Sequence, residues 1–264
     1  MSTPSTPPND VIPPDAAPPP DPAPPRDSTY WAGQVTTLRA HGVPAGAFNL
    51  NVEGRRIVGP LQGFGPMWQK TYRVRLSSVT VTPAAVIAAW KENFPTFWPR
   101  GARFYASLTG IAPGEVAILN LTVGGMRLST GVLVLYADDE SFTLMTPLGH
   151  MFAGWITFSA FEEDGGTVAQ AQVLMRSNDP IYELGLRFGG HRSENRFWKH
   201  TLRALARHLG VAAPVVQTKA VCVDRRIQWG QARNIWQNAG VRTTMYIVAT
   251  PARWIARPFR RRAR

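Results

Sequence analysis

The feature that most limits the fold is residues 115–210, where five apolar segments are separated by tight turns and followed by one amphipathic segment. The turns are Gly124 and Gly125; Asp138, Asp139 and Glu140; Pro147, Leu148 and Gly149; and Glu163, Asp164, Gly165 and Gly166. Connections this short leave no room for a crossover helix, so consecutive strands are antiparallel neighbours in a meander. Alternation then sorts their faces. Ala117, Leu119, Leu121 and Val123 share a face of the first strand; Met126, Leu128, Val132, Val134 and Tyr136 share one of the second. The third carries Phe142, Leu144 and Met145. Residues 151–161 are apolar on both sides, which predicts a central strand covered on both faces. The fifth sets Ala169, Ala171, Val173 and Met175 against Gln170 and Gln172. Ala169 and Ala171 leave space that larger side chains would fill. A cavity wall needs this, and so does a closely packed helix.

Trp198, Leu202, Leu205 and Leu209 recur at helical spacing, widened by Phe197, Thr201 and Ala204. Ser193 is placed to cap this helix and Gly210 to end it. Such a stripe must lie across a sheet. Upstream, Tyr72, Val74 and Leu76 alternate with Arg73, Arg75 and Ser77, and Val79 and Val81 resume after a one-residue slip. This predicts a half-buried, bulged strand over residues 71–82. Thr82 and Pro83 read as N-cap and first residue of a helix through Val86, Ile87, Trp90 and Phe94, stopped by Pro95 and Pro99. Phe97, Trp98, Phe104 and Tyr105 then form an aromatic cluster, either a plug between helix and sheet or a lid over a ligand. In residues 30–69, Leu50 and Val52 with Ile57 and Val58 predict a short hairpin around Gly54. No phosphate-loop or dinucleotide pattern occurs.

The two ends differ in composition from this body. Residues 1–29 hold eleven of the 23 prolines and little apolar surface. They read as a disordered, partly polyproline-II spacer, with a ligand for a proline-recognising module as the alternative. Residues 211–264 hold eleven Lys/Arg against Asp224 alone, so ten of the twelve net positive charges lie there. The body is nearly neutral, and the charge argues for a local anionic partner. The lone Cys222 excludes an internal disulfide and fits a reducing compartment. The early residues lack the pattern of a secretory signal, and the longest apolar run, residues 245–256, is broken by Thr250, Pro251 and Arg253. The expectation is a cytoplasmic protein, peripheral at most to a membrane.

Strand, helix, aromatic connection, antiparallel strands and long last helix follow one another over residues 71–97 and 115–210. This order resembles the START-like (SRPBCC) helix-grip superfamily over about half the chain. Three local segments are similar to an uncharacterised actinobacterial branch of it. They are residues 149–155 (Gly-His-Met-Phe-Ala-Gly-Trp), residues 178–183 (Asn-Asp-Pro-Ile-Tyr-Glu), and the run from His191 to Phe197 and Trp198. The resemblance implies an α+β helix-grip fold: a curved antiparallel sheet wrapped around a long C-terminal helix, enclosing an apolar pocket. Members of the superfamily bind lipids, sterols, polyketides or plant hormones, and some are cyclases or dehydratases. The chain so divides into a proline-rich tail (1–29), an irregular segment (30–69), the helix-grip domain (70–210) and a basic, aromatic extension (211–264).

The residues expected to line the pocket are Trp90, Phe97, Tyr105, Trp155, Met175, Tyr182 and Trp198. The leading reading is a non-enzymatic binder of an apolar small molecule. An enzymatic alternative would use His150, in a turn between strands, or His191, with Asp179 or Glu183 at the start of the last helix. Bland roles stand beside these: His150 bonding nearby backbone, and Asp179 capping its turn. No metal-ligand spacing joins His191, His200 and His208, and no cofactor is expected. Ser159 and Ser177 lie outside any nucleophile elbow, and Cys222 reads as a buried strand residue. Trp229, Ala232 and Trp236 have helical spacing. Arg253, Trp254, Arg257, Phe259, Arg260, Arg261 and Arg262 have the composition of an anchor at an anionic membrane surface. Nucleic acid would also attract them, but no reading motif accompanies them, and a solvated tail is the plain alternative. The oligomeric state stays open.

Overall fold

The structure, a computed structural model, describes residues 27–260 apart from His41 and Gly124, and for Met126 and residues 251–260 it describes the backbone alone. The proline-rich tail up to Arg26, together with Arg261 and Arg262, lies outside the described residues, as do the side chains of Arg253, Trp254, Arg257, Phe259 and Arg260.

Among the described residues, eight antiparallel strands form one sheet. They are β1 (Met67–Arg75), β2 (Ala102–Tyr105), β3 (Val116–Val123), β4 (Met126–Ala137), β5 (Ser141–Met145), β6 (Phe152–Glu163), β7 (Gly166–Ser177) and β8 (Val216–Asp224). Their order is β2-β3-β4-β5-β6-β7-β1-β8. The predicted meander is therefore β3 to β7. Helices α1 (Pro83–Asn93) and α3 (His191–His208) cover the concave face, α1 over β6 and β7, α3 over β1, β7 and β8. The short α2 (Pro180–Gly185) precedes α3, and α4 (Ala239–Arg260) ends the described chain. This is a helix grip.

Local chemistry explains the elements. Thr82 Oγ1 accepts from the Ala85 N–H at 3.2 Å, satisfying a first-turn donor of α1, and Pro83 has no donor to lose there. On α3, Leu202, Leu205 and Ala206 are fully buried, with Trp198 and Leu209 packed on the same cluster. The concave side is filled by aromatic rings. Trp90, Phe94, Phe142 and Phe158 are all fully buried. Phe142 and Phe158 stack at 4.7 Å between centroids, and Trp90 meets Phe158 edge-on at 5.0 Å. Burying each such side chain contributes about 1.5–3 kcal/mol. Ala169 and Ala171, also fully buried, stand opposite Ala160 and Phe158 in register.

Several expectations change. β1 ends at Arg75; Val79 donates to the Leu76 carbonyl at 3.1 Å, so the slip at residues 77–79 is a turn and not a bulged continuation. Tyr136 leaves the face of Val134, because the β4–β5 register shifts between them; it meets Trp31 at 4.7 Å on the convex side. Gly54 does turn the chain (φ +70), but no hairpin forms around it: Arg56 bridges Thr37, and Ile57 bridges Pro147. α3 starts at His191, two residues before Ser193. β6 is central, yet its convex side is only half-buried, with Thr157, Ser159 and Phe161 beside a surface hollow. Cys222 is only part-buried, since β8 is an edge strand paired to β1 alone, and most of that strand is exposed.

The convex face also has a cover. Leu38 and Val52, both fully buried, pack with Val116, Ile118 and Leu133. Gly131 permits this approach: a Cβ there would lie 2.8 Å from the Ala117 carbonyl and 3.1 Å from Val52 Cγ1. The start of α4 docks on the same side. Asn51 Nδ2 donates to Thr243 Oγ1 at 3.1 Å, and the Ala239 N–H donates to the Gly149 carbonyl at 2.9 Å. Among the described residues no helix is long and apolar enough to cross a membrane.

Candidate functional site

The grip brings together the concave sides of β1, β4, β6 and β7, the aromatic turn after α1, and α3. Of the residues expected to line a pocket, Trp90, Phe97, Met175 and Trp198 meet there. Tyr105 and Trp155 do not. Tyr105 packs with the convex cluster, and its hydroxyl donates to the Gly46 carbonyl at 3.0 Å. Trp155 is one residue out of phase with Ile156 and Phe158, so the pleat sends it to the convex side, near Gly59. Tyr182 is on α2, where its hydroxyl accepts from the Gly240 N–H at 2.9 Å. Burial raises the pKa of that phenol.

Polar atoms are set into this apolar interior. Trp90 Nε1, Trp98 Nε1, Thr130 Oγ1 and Glu194 Oε1 are buried with no hydrogen-bond partner among the described residues. Thr130 faces inward because it pairs with Leu119, whose side chain belongs to the concave core. Two of these atoms are indole N–H groups, which can only donate, and one is a carboxylate oxygen, which accepts.

The structure also assembles a charged cluster beneath the N-terminal half of α3. Lys70, 1% exposed, donates to Glu194 Oε2 at 2.5 Å, and its Nζ lies 3.0 Å from His191 Nδ1. Trp68 stands edge-on to the His191 ring at 5.1 Å. One layer further in, the Tyr72 hydroxyl donates to Asn195 Oδ1 at 2.7 Å, and burial raises its pKa well above that of a free phenol. Sequence alone does not single out Lys70, because a lysine is seldom fully buried. The signal was its parity: it shares the face of Tyr72 and Val74.

Among the described residues no side-chain hydrogen bond joins any two of the four residues of the enzymatic alternative; Asp179 and Glu183 meet only through the backbone turn of α2, where the Glu183 N–H donates to the Asp179 carbonyl at 3.0 Å. His150, 6% exposed, accepts from the Phe152 N–H at Nδ1 (3.0 Å), and burial pushes its pKa down to about 4. Asp179 caps α2 through the N–H groups of Ile181 (2.9 Å) and Tyr182 (3.1 Å), and takes a hydrogen bond from Asn238 Nδ2 (2.9 Å). Burial raises its pKa, opposed by those bonds. Glu183 accepts from Ser177 Oγ and from Arg187 Nε, each at 2.8 Å. His191 turns to Lys70 instead. The Asp179 and Glu183 networks belong to a joint: Arg176, 1% exposed, reaches the Gly65 carbonyl (2.6 Å), the Arg226 carbonyl (2.7 Å) and Asp224, tying β7 to the end of β8.

No family model and no curated protein matches the chain. Solved structures similar to it include Ara h 8.0201, at 12% identity over 54% of this chain and 97% of that one, with a TM-score of 0.40. Another is the ginseng major latex-like protein 151 from Panax ginseng, at 11% identity over 56% of this chain and all of that one, TM-score 0.37. A third is the di-domain ARO/CYC BexL from the BE-7585A biosynthetic pathway, at 13% identity and TM-score 0.42; 56% of this chain aligns with 51% of that one. In the present chain the grip is set by its own strand order, with β1 returning beside β7 and α3 lying on the concave face.

Proposed function

We propose that the protein binds an apolar small molecule, of lipid, sterol or polyketide-like character, between the concave face and α3. The observation that carries this reading is a set of buried, unpartnered polar atoms: Trp90 Nε1 on α1, Trp98 Nε1 after the aromatic turn, Thr130 Oγ1 on β4 and Glu194 Oε1 on α3. Buried polar groups in native folds are nearly always paired, and each one left unmade costs about 1–3 kcal/mol. A ligand with an apolar body, an acceptor for the indole N–H groups and a donor for the carboxylate would pair them. Trp90, Phe97, Met175 and Trp198 form its walls in this reading. Entry requires α3 to lift from the sheet. Its N-terminal end offers a hinge in the π-helical turn Leu186–Gly190, where Phe188 and Gly189 leave helical φ/ψ. The narrower kinship with an actinobacterial branch rests on the three local segments alone.

The test is native purification followed by solvent extraction and mass spectrometry, with thermal shifts against fatty acids, sterols and polycyclic aromatics. The expected result is a co-purified apolar species bearing a hydroxyl or carbonyl group. Empty extracts together with no thermal shift overturn the reading.

The second part of the proposal concerns the C-terminal extension. Met245 and Val248 are 66% and 73% exposed on α4, ahead of the arginine-rich end. Apolar and cationic side chains on one helix suit an anionic bilayer surface. Deleting residues 251–264 should abolish flotation with anionic vesicles at low salt. Undiminished flotation removes the tail from the account, and selective retention of nucleic acid would replace lipid as its partner.

A further inference from the structure

The convex face carries a hollow of about 430 Å³ that the grip does not use. Its walls are aromatic: Trp31, Tyr136 and Phe161. Its floor is a set of hydroxyls from the outward positions of β5 and β6, where Thr143 pairs with Thr157 and Ser141 with Ser159. The Thr143 and Thr157 hydroxyls lie 2.9 Å apart. Trp31 is 47% exposed and is held to Tyr136 both by a strand bridge and by edge-on contact at 4.7 Å. The register shift in β4 turns Tyr136 outward to meet it.

Aromatic walls above a hydroxyl floor match one backbone form closely. A proline-rich strand in the polyproline-II conformation offers pyrrolidine rings to aromatic faces, and it needs little ordering on binding. Its prolines have no N–H, so what remains to be satisfied is carbonyl oxygen, which hydroxyl groups can serve as donors. This chain carries a segment of that composition. Residues 18–25 include six prolines, and the described chain begins two residues later. Asp27 caps the short turn Ser28–Tyr30, and that turn delivers Trp31 to the hollow. At about 3.1 Å per residue, residues 18–25 extend roughly 25 Å, ample to cross three strands spaced about 4.8 Å apart. A tether this short holds the segment at an effective concentration on the order of millimolar, so even a weak site fills.

We propose that residues 18–25 dock in cis, as a polyproline-II strand, across the hollow walled by Trp31, Tyr136 and Phe161. Docking there occludes the site from any other proline-rich strand, so the segment acts as an internal competitor. The proposal is independent of what the grip binds.

The experiment uses the full chain, with a nitroxide on Pro20→Cys in a Cys222→Ser background, and reads paramagnetic broadening of backbone amides. The expected result is broadening centred on Trp31, Thr143, Thr157 and Ser159, unchanged on tenfold dilution. Unlabelled peptide spanning residues 13–26, supplied at roughly tenfold the millimolar effective concentration of the tethered segment, should relieve it, as should Trp31→Ala. Broadening that fades on dilution assigns the docked strand to a second copy and overturns docking in cis. Broadening that is absent, or spread over other faces, overturns the site. If Trp31→Ala disturbs the amide spectrum of the sheet, the peptide competition decides alone: no relief by excess peptide refutes the site.

Discussion

His150 makes the folded protein sensitive to acid, with a magnitude that follows from its burial. Its imidazole accepts from the Phe152 N–H and is 6% exposed, and its pKa falls from 6.5 to about 4. At about 1.36 kcal/mol per pKa unit, the full linkage is about 3 kcal/mol. The sign follows from which state holds the proton. Between pH 4 and 6.5 the unfolded chain binds a proton that the folded chain refuses. The contribution is therefore fully present above pH 6.5, shrinks as pH falls, and is gone below pH 4. His150→Asn retains an oxygen to accept from Phe152 but does not titrate. Urea unfolding of both proteins at about pH 7.5 and about pH 4.5 isolates the effect, with wild type losing about 2.5 kcal/mol more than the variant. Asp179 acts in the opposite direction. Its raised pKa gives stability at low pH that is lost as pH rises through the folded value, and it cancels because both proteins carry it. Equal losses in wild type and variant would refute the reasoning and mean that His150 is protonated within the fold.

The buried ion pair predicts a non-additive pair of variants. Lys70→Met strands Glu194 as an uncompensated buried carboxylate and should cost about 3–5 kcal/mol in urea unfolding. Adding Glu194→Leu should recover most of it. Equal stabilities of the single and double variants would show that the carboxylate is solvated or protonated. Gly149 adopts φ +95, and a Cβ there would lie 2.1 Å from the Gln237 carbonyl. Gly149→Ala should cost about 1–3 kcal/mol and speed amide exchange at the start of α4; unchanged exchange there would mean that α4 docks without this contact.

The polar cluster shows how the site depended on distance along the chain. Lys70 and Glu194 are 124 residues apart, and neither has a local pattern that announces the other. Tyr136 illustrates a second limit. Alternation places it beside Val134, and a one-residue register shift against β5 reverses it, which changes the wall of the convex hollow. The aromatic size of Tyr105 and Trp155 suggests an inward place, whereas the pleat alone decides which way they point. In sequence the carboxylates near α2 look like possible partners of a histidine. Once Asn238, Ser177 and Arg187 are in place, they are occupied in holding the joint.

Sequence by itself determined the strand meander, the inward faces of β1, β3 and β7, the α3 stripe and the near neutrality of the body. These depend on periods of two and 3.6 and on turn residues, which act within a few positions of the chain. Tertiary structure decided the rest: that β8 completes the sheet beside β1, that residues 30–64 and α4 cover the convex face, and that unpartnered polar atoms lie buried among packed rings. Those outcomes depend on which side chain stands opposite which across gaps of many tens of residues. Periodicity says which way a side chain points. What it meets there is set by the packing of elements that are distant in sequence.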